Sequence, residues 1–422
     1  MRLMLALCLG WLALGYGATP FEVVWNGPSA GCNSGNGLRN LTAYGILANA
    51  AQSFNGSTIT LFYRIGDWPK LNASMNATAC WSEHSPGCSW NPWGRIVASA
   101  NGGVPQAANI TAHTAQVARD IASMIPDAHF SGLLIIDWEA WRPLYAQNDD
   151  GLSAYREYSR RLVLADPAFP PGSKANASAL AAEAQRRFDA GARAFFSATV
   201  RAIRAMRPAA RIGFYSQGIN SPASAGPAHN VALGWLWELV DVLCPSIYPR
   251  GGNASAEAAR VQDDILGAIQ AAGLAGDRRP AVMPYARALI AGDGDANSDT
   301  IGWAPQPFDS ATLATQVQIA AGLGADGVIM WGASADYHNN GCATIEAELQ
   351  TFAGPTILRC IRDREACAAA HCHGRGRCVD YAASRLEQTC QGTTLINGAV
   401  PACRCDVGFG GNACERAVHV LH

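Results

Sequence analysis

Charge is scarce in this chain. Only 15% of its 422 residues are charged and the net charge is −2, so bulk electrostatics provides no grip on nucleic acid or an anionic membrane surface. Beyond the first residues no segment approaches the roughly 20 apolar positions that a membrane-spanning helix needs. There is no phosphate-binding glycine loop, and the nine histidines show no metal-ligand spacing, so neither cofactor nor metal is expected.

What is present begins with MRLMLALCLGWLALGYGATP, in which Arg2 precedes an apolar stretch from Leu3 to Leu14, with small Gly15 and Gly17 behind it. That pattern reads as a cleaved leader over 1–17 and implies a secreted, extracellular or lysosomal-type route. Seven Asn-x-Ser/Thr sequons (Asn40, Asn55, Asn72, Asn76, Asn109, Asn176 and Asn253) agree with that route. Removal of Cys8 with the leader leaves thirteen of the fourteen cysteines, an odd number in an oxidising compartment. Cys244, inside the apolar VDVLCPSIY, is the candidate free thiol.

Seven short apolar runs alternate with stretches long enough for crossover helices: FEVVWN at 21, TITLFYR at 58, GLLIIDWE at 132, RIGFYSQ at 211, VDVLCPSIY at 240, AVMPYAR at 281 and GVIMWG at 327. The pattern predicts an α/β fold with a parallel sheet, and seven or eight such units close a barrel. Alanine-rich stretches at 179–206, 256–272 and 311–323 carry helical periodicity whose simplest meaning is core packing. The barrel is expected over 18–355. The remaining 356–422 has eight cysteines between Cys360 and Cys414 and no long apolar run, the signature of a small disulfide-held module.

Within that module, Cys367-x4-Cys372-x5-Cys378 and the later CRCDVGFGGNAC resemble the epidermal growth factor module. The resemblance implies the pairs Cys367–Cys378, Cys372–Cys403 and Cys405–Cys414, and leaves Cys360 and Cys390 for each other; spacing alone leaves many connectivities open. A zinc site built from His371, Cys372, His373 and Cys378 is the competing assignment, disfavoured in a secreted chain. IRDREAC lacks the acidic spacing of a calcium-binding version.

The segment GLLIIDWEAWRP is the chemically informative one. Strand alternation puts Asp137 and Glu139 on one face, with Cα atoms about 6.5 Å apart, so each perturbs the other and one holds its proton to higher pH. At the C-terminal strand ends of a parallel barrel these groups sit at the mouth, where catalytic groups collect. Two carboxylates at a strand end also commonly pair with a neighbour such as Arg142 or cap a helix. Aromatics near the other strand ends, namely Trp25, Tyr63, Tyr215, Tyr248, Tyr285 and Trp331, shift the balance toward a carbohydrate groove.

DWEAWRP, together with VWN at 24, NGGVPQ at 101, GFYSQG at 213, LGWLWELVDVLCPSIYP at 233, VMPYA at 282 and GVIMW at 327, resembles the animal hyaluronidase family of glycoside hydrolases, in order from about 21 to 350. The resemblance implies a distorted TIM-like (β/α) barrel of about seven strands. It also implies endo-hydrolysis of β-1,4 bonds next to an N-acetylhexosamine in a glycosaminoglycan, hyaluronan or chondroitin. By position in the motif, Glu139 is the acid and base, and Asp137 orients the substrate's own acetamido nucleophile. This retaining, substrate-assisted route departs from the usual two-carboxylate scheme. Tyr248, Tyr215, Tyr285 and Trp331 match positions around the acetamido group and sugar ring, Tyr63 belongs to the same groove, and Arg142 matches an arginine beside the acidic pair.

Cys32 and Cys342 match a bridge from the first strand region to the end of the barrel. Two departures stand out. A long insert over 70–99 carries Cys80, Cys88 and three tryptophans, which read either as a pinned aromatic flap or as a glycosylated loop with its own apolar cluster. Residues 216–230 lack the cysteine that family members carry after the GFY tyrosine. Two other functions compete: a catalytically idle glycan-binding or adhesion protein, whose epidermal growth factor-like module contacts an unidentified protein, and a chitinase-like barrel. The first would not need the acid, and the second would need a longer D-x-x-D-x-D-x-E run.

Overall fold

The computed structural model describes residues 20–73, 96–216, 226–250, 253–287, 310–337, 341–379, 390 and 402–418. The expected leader 1–17, the sequon Asn76, the pair Cys80 and Cys88 with Trp81, Trp90 and Trp93, and the loop after Tyr215 lie outside these residues.

All seven apolar runs form strands. In chain order the elements are β1 (Glu22–Asn26), β2 (Ile46–Ala48), β3 (Ile59–Phe62), an antiparallel hairpin of β4 (Lys70–Ala73) and β5 (Ile96–Ala100), then β6 (Leu133–Ile136), β7 (Arg211–Tyr215), β8 (Val242–Cys244), β9 (Ala281–Val282), β10 (Tyr285–Arg287) and β11 (Gly327–Trp331). Two parallel sheets result, ordered β3-β6-β7-β8-β9 and β10-β11-β1-β2. They are continuous through 281–287: Met283 N donates to Leu243 O, Ile329 N donates to Pro284 O, and Ser246 bridges Tyr285. Proline at 284 has no N–H for the ladder, which is where the program of pairing changes from one neighbour to the next.

The remaining seam is closed by side chains. Asn49, 2% exposed, accepts from the amides of Thr58 and Ile59 and donates to Ile59 O, while the Thr58 hydroxyl donates to Ala48 O. One buried asparagine thus satisfies the backbone groups that a ladder between β2 and β3 would have paired. The short β2, absent from the seven anticipated runs, makes an eighth stave of the TIM-like barrel.

Strand parity sorts the core into two layers. Val24, Ile59, Leu61, Leu133, Ile135, Val242, Cys244, Met283, Tyr285 and Ile329 pack together inside the barrel. Their alternates, such as Val23, Phe62, Leu134, Ile136, Phe214, Leu243 and Val328, pack outward against the helices. Cys244 is unpaired and fully buried, and burial pushes its thiol well above the ordinary range, leaving it inert. Helix Ala177–Met206 lays Phe188, Phe195, Phe196 and Val200 on the outer layer.

Three of the sequon asparagines have a structural job. Asn109, Asn176 and Asn253 are the N-caps of helices Ile110–Met124, Ala177–Met206 and Ala254–Leu274, each accepting an amide with its side-chain oxygen. These three, with Asn40 and Asn55, are exposed. Capping uses Oδ1 and a glycan uses Nδ2, so the two roles are compatible.

The cysteine-rich segment holds the bridges Cys360–Cys390, Cys367–Cys378, Cys372–Cys403 and Cys405–Cys414 around the hairpin of β12 (Gly376–Val379) and β13 (Ala402–Cys405). Cys372 and Cys378 are therefore not thiolates, which removes the zinc alternative. Cys32–Cys342 ties the start of the barrel to its end across 310 residues. The boundary expected at 355/356 falls inside a continuous helix, Gly354–His371, whose first half packs in the barrel's outer layer through Ile357 and Cys360 and whose second half carries Cys367 into the module. Asp326, just before β11, locks the two parts together by accepting from Arg377 and Arg404 at 2.8 Å each. Burial alone would raise Asp326; the two guanidiniums and the Val282 amide outweigh it and hold its pKa below the usual carboxylate value.

Replacing Asn176 by Ala removes cap and sequon together, whereas Ser178→Ala removes the sequon alone. The first should lose about 1 kcal/mol more stability than the second in urea unfolding of enzymatically deglycosylated protein; equal losses would refute the capping role.

Candidate active site

The inward parity of β6 continues past its end. Leu133 and Ile135 face the barrel interior, so Asp137 and Glu139 follow them toward the mouth, while Trp138 turns outward and stacks on Trp68 with ring centroids 4.8 Å apart. The Asp137 amide donates to Phe62 O, which extends the β3–β6 register and fixes where its side chain emerges. Trp141, fully buried among Phe188, Phe195 and Phe196 and donating to Pro69 O, clamps the segment that follows.

The two carboxyls lie close enough for the charge of one to act on the other. Burial first, and the neighbouring Glu139 second, raise the Asp137 pKa from 3.8 to about 7, against a smaller opposing pull from Arg142. One Asp137 oxygen, Oδ1, is buried without a hydrogen-bond partner among the described residues. Glu139 is the more open of the pair, at 34% side-chain exposure, with Arg142 3.6 Å from its carboxylate. Arg142 is anchored through its backbone, which exchanges hydrogen bonds with the buried Asn148 side chain.

Five of the six expected aromatics line the same mouth. Tyr215 packs edge-on against Tyr285 at 5.2 Å and stacks on Tyr248 at 5.9 Å; Tyr248 stacks on Trp331 at 5.7 Å. Trp331 donates its indole N–H to the Tyr63 hydroxyl at 2.9 Å, and Tyr63, 46% exposed, forms the outer rim. Trp25 does not join them. It has the outward parity of Val23, donates to Ser29 and packs against Tyr337; its neighbour Asn26 has the inward parity instead.

Burial raises Tyr215 to about 12, and raises Tyr248 and Tyr285 well above the ordinary phenol value. All three therefore remain neutral hydroxyls. The Tyr285 hydroxyl is buried and has no partner among the described residues. An unsatisfied donor of this kind costs about 1–3 kcal/mol, which an incoming acceptor recovers.

Sequence reasoning missed three groups. Asn26, fully buried and paired in register with Trp331, donates to Phe54 O, and its Oδ1 has no partner among the described residues. Ser246 accepts the Tyr215 hydroxyl at 3.0 Å. Arg287, two residues after Tyr285 and of the same parity, lies 5.1 Å from the Trp331 ring and forms a buried ion pair with Asp336 at 3.1 Å. Parity could have found the first and third; Asp336, in the turn after β11, gives no sequence signal. The pair props the Trp331 wall from beneath.

The arrangement offers a carboxyl that keeps its proton, a second carboxyl beside it, a cage of neutral hydroxyls and an aromatic wall. Among the described residues no cluster of three or more potential metal ligands occurs, and no helix is long and apolar enough to cross a membrane.

The sequence matches the hyaluronidase family model over residues 15–80 and 93–389, leaving 81–92, the middle of the tryptophan-rich insert, without a counterpart. Human (Homo sapiens) hyaluronidase-1 is 32% identical, over 85% of this chain and 78% of its own. Pig (Sus scrofa) hyaluronidase-3 is 31% identical over 98% of this chain and 97% of its own, cysteine-rich end included. The crystal structure of bee venom hyaluronidase in complex with a hyaluronic acid tetramer superposes with a TM-score of 0.63 at 29% identity, covering 79% of this chain and 98% of that one.

The folded protein binds the Asp137 proton more tightly than the unfolded chain does. Its contribution is complete below about pH 3.8 and is lost as the pH rises through about 7, a few kcal/mol at roughly 1.4 kcal/mol per unit. Asp137→Asn should flatten the fall in unfolding free energy of the wild type between those limits. Parallel stability curves for the two proteins would contradict the assignment.

Proposed function

Because the chain belongs to the hyaluronidase family and is a glycoside hydrolase, we propose that it cleaves hyaluronan internally. The bonds attacked are the β-1,4 bonds that follow N-acetylhexosamine, and chondroitin is attacked through the same linkage. The observation that carries this reading is the neighbouring pair of Asp137 and Glu139 at the aromatic mouth of the barrel, where burial and the second carboxyl raise the Asp137 pKa. The relative whose structure holds a hyaluronic acid tetramer supports the choice of polymer.

The acetamido N–H of the sugar meets Asp137 Oδ1, and the Asp137 proton passes to Glu139. The acetamido carbonyl oxygen attacks the anomeric carbon as the glycosidic C–O bond breaks, and Glu139 gives its proton to the departing oxygen. Glu139 then removes a proton from the water that adds to the anomeric carbon and opens the cyclic oxazolinium ion, whose positive charge is thereby discharged, restoring the neutral acetamido group and the original anomeric configuration. Tyr248 donates to the acetamido group, Tyr215, its own hydrogen given to Ser246, packs beside it, Tyr285 closes the pocket beneath it, Trp331 and Tyr63 bound the sugar, and Arg142 meets a substrate carboxylate or steadies Glu139.

Positioning the internal nucleophile saves about 7–11 kcal/mol of the barrier, and general acid catalysis adds about 10²–10⁴-fold. The protein needs no nucleophile of its own, so the two carboxyls can sit side by side on one strand end. The leader, sequons and disulfides support a secreted or lysosomal route.

Glu139→Gln should lower kcat on hyaluronan and chondroitin by at least about 10²-fold while polymer affinity, measured by sedimentation or calorimetry, stays within about threefold. Undiminished kcat in that variant would remove Glu139 from the mechanism.

A further inference from the structure

At the opposite end of the barrel from Asp137 and Glu139, the first residues of β1, β7 and β9 (Glu22, Arg211 and Ala281) face the cysteine-rich module across a cavity of about 370 Å³. We propose that this cavity is a binding site for a tetrahedral oxyanion, a phosphate or a sulfate, carried free or on a sugar ring.

The charge inventory points that way. Five guanidiniums and three carboxylates line the cavity, an excess of two positive charges. On the barrel side Arg211 is held by Glu22 through contacts of 3.0 and 2.9 Å. On the module side Arg377 and Arg404 share Asp326, and Arg377 also reaches Asp406 at 3.3 Å. The carboxylates are thereby spoken for. Arg279 donates to the Cys405 carbonyl and acts on Asp406, and the guanidinium of Arg375 lies 4.9 Å from the Phe409 ring; the excess belongs to the cluster as a whole.

Two further features suit a ligand. Arg404, only 9% exposed, holds its guanidinium against Asp326 at the cavity wall, where a charge-assisted hydrogen bond to an oxyanion is little screened by water. Arg279, a non-glycine residue at φ 32°, occupies the left-handed region, and its side chain still reaches into the module; strain of this kind persists where surrounding contacts over-determine it. The cavity exceeds a single tetrahedral ion in size, which leaves room for the ring of a sulfated or phosphorylated sugar. Arginine is the side chain whose planar fork fits such groups.

The test is calorimetric titration of the intact disulfide-bonded protein with inorganic sulfate, inorganic phosphate and N-acetylgalactosamine 4-sulfate at constant ionic strength, with unsulfated N-acetylgalactosamine as the blank. At least one anion should bind saturably, and Arg375→Gln should weaken it at least about tenfold while hyaluronan turnover, governed by the far end of the barrel, stays at the wild-type rate and so reports a folded protein. Binding of the inorganic ions identifies a free oxyanion; binding of the sulfated sugar alone identifies an ester. No saturable binding by any of them, or equal binding by Arg375→Gln, overturns the proposal.

Discussion

The structure turns on the cost of ionising Asp137 inside the barrel wall. Alternation along β6 commits every second side chain to the interior, and after Leu133 and Ile135 the next two inward positions are carboxyls. An ionised carboxylate there would be desolvated without compensation; a carboxyl that keeps its proton is not. Burial and the adjacent Glu139 therefore keep that proton bound up to about pH 7. The same surroundings hold Tyr215, Tyr248 and Tyr285 neutral, so the groups facing the acids are hydroxyl donors and rings.

The rest of the barrel holds this geometry still. Trp68, Trp138 and Trp141 form an aromatic block behind the acidic pair, so the segment after β6 leaves at a fixed angle although it is no longer strand. Across the mouth, Trp331 is restrained by Tyr248, by the Arg287–Asp336 pair and by its hydrogen bond to Tyr63. At the far end the load is electrostatic and covalent: Asp326 ties two module arginines to the start of β11, and the helix from Gly354 joins barrel to module without a linker. The end that carries the acidic pair and the end that meets the module are thus built from opposite termini of the same strands.

Much of this was legible in the sequence because strand parity and motif order are written there. All seven strands, the acidic pair, five of the mouth aromatics and the free Cys244 could be placed from spacing and composition, and the family resemblance supplied the module's cystine pairs. Trp25 was misplaced because nearness to a strand end was weighed without parity; it is one residue out of phase with Val24, and Asn26 holds the inward position. The eighth stave β2 escaped because three residues carry no readable period and its seam is closed by the Asn49 side chain. The Arg287–Asp336 pair joins residues 49 positions apart, a contact that exists only once the barrel closes. The expected boundary at 355 rested on composition, which changes there, while the helix running through it responds to local propensity and to packing of Ile357 and Cys360.

The central claim is that the sugar supplies the nucleophile and the protein supplies the proton. The anomeric configuration of the first product answers it most directly, followed by proton NMR in the first moments of hyaluronan digestion, before mutarotation. Two displacements at one carbon predict that the newly formed reducing end appears first as the β anomer. First appearance of the α anomer would mean direct attack by water, and the side-by-side carboxyls would then need another explanation.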